Sequence, residues 1–145
     1  MRYNYNINKN MLQRDYIMRL IQEFTAAISR FLSKDKDDQK FTDSLEDLYR
    51  QYLGPYDFYH ISTMSQIMHD FVRYPEQDRL YRMEMLACLY EIEADRKPGP
   101  TRDELLSRSL TLFTFIDNHS DTFSIERRMK IDKITAQLEK NQKSL

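Results

Sequence analysis

Three histidines (His60, His69 and His119), one cysteine (Cys88) and the carboxylate pairs Asp37-Asp38 and Glu46-Asp47 are the groups in this chain whose types could carry catalysis or metal binding. Asp57 and His60 precede His69-Asp70, which places two His/Asp pairs a short way apart. A zinc site needs three or four converging ligands, and a His-x₈-His spacing is not one that supplies them. The carboxylate pairs lie in charge-rich stretches, where solvation is the default. The histidines are therefore expected at the surface or at helix caps, and no catalytic, cofactor-binding or metal-binding residue is assigned. Cys88 lies in the apolar run Met85-Leu86-Ala87-Cys88-Leu89-Tyr90 and is expected to pack as a small hydrophobe. As the only cysteine it cannot form an intramolecular disulfide. Two glycines are too few for a glycine-rich phosphate loop.

The elements that must position these residues read as helices throughout. Among 145 residues there are one Val, eleven Ile, fifteen Leu, two Gly and four Pro. Sheets favour β-branched residues and tight turns favour Gly and Pro, so this composition excludes a fold of hairpins. A first helix is expected from Leu12 to Leu32, with Ile17, Leu20, Ile21, Phe24, Ala27, Ile28 and Phe31 at helical spacing. A second runs from Gln39 to Leu53 and ends at Gly54-Pro55, where Gly is expected to take the left-handed conformation. Ser62 is expected to cap a short third helix that Tyr74-Pro75 ends. A fourth spans Glu76 to Asp95. Thr101-Arg102-Asp103-Glu104 reads as the capping box of a fifth. The sixth begins near Phe123 or Ser124 and continues to Leu138. The alternation Tyr3-Asn4-Tyr5-Asn6-Ile7-Asn8 is strand-like in period, yet a flexible arm is expected there. The expected organisation is an N-terminal arm over residues 1–10, a single helical domain over 11–140 and a frayed tail over 141–145. The fold class is all-α, an irregular bundle of about five or six helices.

A more specific form of that bundle is a degenerate tetratricopeptide-like array of helix hairpins. Met83-x₂-Leu86-Ala87-x₂-Tyr90 and Ser109-x₃-Phe113 follow the repeat's spacing, and the small residues Ala87 and Ser109 would let two helices approach closely. The same spacing also follows from any amphipathic helix, and the stretch from Tyr90 to Ser109 is long for a standard repeat.

Gln13-Arg14-Asp15-Tyr16-Ile17, with Arg19, Ile21, Ala27 and Leu32 after it, resembles the opening of an uncharacterised family of small bacterial helical proteins. Ile116-Asp117-x₂-Ser120-x-Thr122-Phe123-Ser124-Ile125-Glu126-Arg127 resembles a later segment of that family. The resemblance covers about residues 11–140 and implies a tetratricopeptide-like fold, a bacterial source and Met11 as the family-like start. It implies no activity.

Function is narrowed by exclusion. The net charge is −1 with both signs interspersed, which disfavours nucleic acid. The leading expectation is a protein-interaction module, an adaptor or scaffold without catalysis, that takes a protein or peptide partner and needs no cofactor. The alternatives are a nucleic-acid-associated regulator using Arg127, Arg128, Lys130 and Lys133, and an enzyme with an unrecognised site. No apolar run is long enough for a membrane span, so a cytoplasmic location is expected. The apolar positions of the first helix, from Ala27 round to Met18, cover about half its circumference. Met18, Ile21 and Ile28 are therefore candidate contacts for a homodimer. Phe123 is expected to cover Phe24 or Phe31, because the two family-like stretches are expected to meet.

Overall fold

Helix-favouring composition and sparse Gly and Pro give helix along nearly the whole chain. The computed structural model describes the backbone of residues 2–143 and the side chains of residues 11–142. Among the described residues seven α-helices follow one another: α1 (Arg2–Ser33), α2 (Asp38–Tyr52), α3 (Tyr56–Ile61), α4 (Met64–Asp70), α5 (Arg79–Ala94), α6 (Gly99–His119) and α7 (Ile125–Lys143). Two single 3₁₀ turns, Phe71–Arg73 and Glu76–Asp78, join α4 to α5. No strand forms among the described residues, and none of their helices is long and apolar enough to cross a membrane. The all-α expectation holds.

Several boundaries differ from those the sequence implies. α1 begins at Arg2, so its backbone runs as helix through the Asn/Tyr alternation. The side chains of the expected arm, and residues 144–145 of the expected tail, lie outside the described residues. A six-residue helix, α3, fills the stretch between Pro55 and Ser62 that the sequence reading left as a connection. Thr63, not Ser62, caps α4: its hydroxyl accepts from the Gln66 backbone N–H at 3.2 Å. Gln66 Oε1 accepts in return from the Thr63 N–H at 2.9 Å, completing a capping box. Thr101 caps nothing, because α6 has already begun at Gly99. Pro100 sits in its first turn, where the missing N–H costs no helical hydrogen bond.

The left-handed conformation expected at Gly54 is found at the other glycine. Gly99 has φ +52°, while Gly54 does not enter the left-handed region. Gly54 is instead a point of close approach: a Cβ there would stand 3.2 Å from the Tyr59 hydroxyl.

The chain forms two units, residues 1–44 and 45–145, with the division falling inside α2. In the first, Ile17, Phe24, Ala27 and Phe31 form the buried stripe of α1. The Phe31 and Phe41 rings meet 5.2 Å apart, and Asp37 caps α2 by accepting from the Lys40 N–H at 2.8 Å. Met18 is exposed, and Ile21 and Ile28 are half-buried.

The second unit is built on the α5–α6 hairpin. Leu86, Ala87, Leu89 and Tyr90 from α5 are fully buried, as are Ser109, Leu112 and Phe113 from α6. The close approach expected at Ala87 and Ser109 is present: the Ser109 hydroxyl donates to the Ala87 carbonyl at 2.8 Å. α7 packs against α6 through Ile134.

Arginines finish the short elements of this unit. A helix leaves its last carbonyls without partners, and α2, α3 and the 3₁₀ turns expose many such groups in little space. Arg82 donates to the Tyr52 carbonyl and Arg73 to the Leu53 carbonyl. Arg79 donates to Tyr74 at 3.0 Å and Val72 at 3.1 Å. Arg108 donates to Tyr59 at 3.1 Å and Ser62 at 2.9 Å.

Candidate functional site

Tyr56 and His60 are four residues apart on α3, so they lie on one face, and their rings stack with centroids 3.7 Å apart. Glu93, near the end of α5, has only 3% of its side chain exposed. A carboxylate so buried must find hydrogen-bond donors. His60 Nε2 meets its Oε1 at 2.7 Å, and the Tyr56 hydroxyl donates to its Oε2. His60 Nδ1 meets the Tyr56 carbonyl at 2.7 Å. A carbonyl can only accept, so Nδ1 carries a proton. The contact between Nε2 and Oε1 engages the other ring nitrogen.

An aromatic wall encloses the trio. Tyr49 of α2 packs edge-on against Tyr56 at 5.2 Å and against His60 at 5.4 Å. The Tyr90 hydroxyl donates to the Tyr59 carbonyl. Burial, with the Glu93 charge adding to it, pushes the Tyr49 phenol well above its ordinary value. Burial and the hydrogen bond to Glu93 do the same to Tyr56. Burial outweighs the Arg108 guanidinium at Tyr90, which is pushed up to about 12. These phenols keep their protons at neutral pH.

Both nitrogens of His60 are engaged, one by a backbone carbonyl and one by Glu93, so neither points at a place where a substrate atom could stand. A general base needs a free lone pair within hydrogen-bond reach of the proton it removes. The arrangement ties α3 to α5. Sequence reasoning placed His60 at the surface or in a cap. Its side chain is 20% exposed, and its partner lies 33 residues away. The available signals were the i,i+4 Tyr56–His60 pair and an acidic residue, Glu93, flanked by apolar Ile92 and Ala94.

The other candidates separate. His69 and His119 are exposed, as expected. His119 stacks on Phe115 and its Nδ1 meets the Phe115 carbonyl at 2.8 Å. No cluster of three or more His, Cys, Asp or Glu suited to a metal ion occurs among the described residues. Cys88 is partly buried. Lys130 Nζ donates to its Sγ at 3.5 Å and lies 3.9 Å from Glu91. Burial pushes the Cys88 thiol up despite that lysine, which disfavours the thiolate.

The basic cluster on α7 is largely engaged inside the chain. Arg127 is buried and donates to Asp117 Oδ1 at 3.1 Å and to the Thr122 carbonyl at 3.0 Å. Arg128 donates to Asp117 Oδ2 at 3.0 Å. Burial alone would push the Asp117 carboxyl up, but Arg128 and Arg127 outweigh it and hold it below its ordinary value. Of the four cations, Lys133 stands exposed without an ion pair among the described residues.

Beside this cluster three large apolar side chains stand in solvent: Phe123 at 76%, Ile125 at 68% and Met129 at 66% exposure. Phe123 belongs to the second unit and is exposed there, whereas the residues it was expected to cover, Phe24 and Phe31, belong to the first. The local reason for the exposure is its position. Ser124 Oγ accepts from the Arg127 N–H at 3.2 Å, which makes Ser124 the cap of α7 and Phe123 the residue before it. A hydrophobic residue there packs on the fourth helical position when that is apolar. Here the fourth position is Arg128, which turns to Asp117 and leaves Phe123 without a staple.

No protein-family model matches the chain, and neither a curated protein nor a solved structure matches it.

Proposed function

We propose that this chain is a protein-interaction module whose contact surface includes the start of α7. The observation that carries the reading is the exposure of Phe123, Ile125 and Met129 beside one another in sequence. Ile125 and Met129 are four apart and share one helical face. Single exposed apolar residues are ordinary, but adjoining large ones on a polar surface are a feature of contact sites. Methionine also suits such a surface, because its flexible thioether adapts to different partners.

The polar constellations support the same reading. His60, Glu93 and Tyr56 satisfy one another, and Arg127 and Arg128 share Asp117. The α5–α6 hairpin, read as tetratricopeptide-like, is the frame that holds α7 in place. The test is affinity purification from the source cells with the native chain and with an Ile125→Asp, Met129→Asp variant. One or more proteins retained by the native chain and lost by the folded variant is the expected result. Identical recovery with both would overturn the reading.

A further inference from the structure

The charges around the α7 patch define the chemistry of what it would contact, which rests on the reading of that patch as a contact surface. Asp121 precedes Phe123, Glu126 follows Ile125, and Asp132 lies one turn beyond Met129 on the same side of the helix. All three carboxylates are exposed and make no ion pair among the described residues. The positive charges left over nearby are fewer. Arg127 and Arg128 are held by Asp117, and Lys130 lies against Cys88 and Glu91. Asp117 cancels one of the two arginine charges it holds, so one positive charge is left over there, and Lys133 adds a second. Three unpaired carboxylates against these two positive charges leave the rim of the apolar centre with an acidic balance.

We infer that this surface takes an amphipathic helix of another protein, apolar along one face and flanked by lysine or arginine. Ile125 and Met129 receive the apolar stripe, with Phe123 closing one end. Asp121, Glu126 and Asp132 face the partner's cations. An amphipathic helix supplies apolar side chains at i, i+4 spacing, the same spacing Ile125 and Met129 present. The acidic rim selects among such helices by repelling those with acidic flanks. It also opposes phosphate-bearing partners, whose charge is of the same sign as the rim.

Two fluorescent peptides of about 14 residues, a length of roughly 20 Å as helix, test this directly. Both carry leucines along one helical face; the remaining positions are lysine in one and glutamate in the other. Fluorescence anisotropy at low salt is expected to give at least tenfold tighter binding of the lysine peptide, with the preference shrinking as salt screens it. Glu126→Lys with Asp132→Lys is expected to remove or reverse the preference, and Ile125→Ser with Met129→Ser to lose both peptides. All four positions are exposed, and circular dichroism checks that each variant folds. Equal or tighter binding of the glutamate peptide, still lost in the Ile125→Ser, Met129→Ser variant, overturns the basic partner and leaves the contact surface standing. Binding of either peptide that is indifferent to that variant, or no binding of either, overturns the site.

Discussion

At His60, removal of the ring leaves Glu93 buried with only the Tyr56 hydroxyl for a partner. Leaving a buried carboxyl group short of a hydrogen-bond partner costs about 1–3 kcal/mol. His60→Ala should therefore lower the urea midpoint markedly. His60→Gln, whose amide can still donate to Glu93, should recover a good part of the loss. Equal stability of the alanine variant and the native chain would mean the tie between α3 and α5 is immaterial. Asp117 gives a pH test of opposite location. Its carboxyl is held down by Arg128 and Arg127. The α6–α7 junction thus gains stability above the unfolded carboxylate value, about 4, and loses it as pH falls through the lower folded value. In an Asp117→Asn variant that part of the acid limb should flatten; an unchanged acid limb would contradict the assignment. Cys88 should react slowly with a disulfide reagent at neutral pH, because its pushed-up thiol supplies little thiolate. A rate equal to that of a free thiol would count against this placement.

Among the elements, the helices long enough to show several turns of periodicity were legible in the sequence. α5 and α6 were found with their facing small residues, Ala87 and Ser109, because fully buried faces leave an unambiguous apolar stripe. α3 was not found. Six residues span fewer than two turns, too short for periodicity to declare itself. With α3 went the His60–Glu93 pairing, since contacts between elements leave no spacing to read. The Thr101 cap failed for a related reason: a capping box inside a helix has the same letters as one at its start. Two substitutions test this level. Ser109→Leu should destabilise by about 1–3 kcal/mol, because the hydroxyl that reaches the Ala87 carbonyl leaves no room for a larger side chain. Thr63→Ala should cost about 1 kcal/mol through the lost cap of α4. Thermal unfolding of both variants checks the ranking; a larger loss at Thr63 than at Ser109 would contradict the view that the α5–α6 seam is the centre of the second unit.

For the whole molecule, the balanced net charge conceals an uneven use of charge. Arg73, Arg82, Arg108 and Arg127 turn to carbonyls and carboxylates within the chain, and the start of α7 is apolar at its centre with an acidic balance at its rim. Composition could not show this, because it depends on which arginines find internal partners. Photo-crosslinking in the source cells tests the central claim most directly. A photoreactive residue replaces Ile125 or Met129 in one set of chains and exposed Gln51, away from α7 in sequence, in another. The account predicts adducts with a discrete partner from positions 125 and 129 and none above background from position 51. Background labelling at all three positions, or the same adducts from position 51, would contradict it.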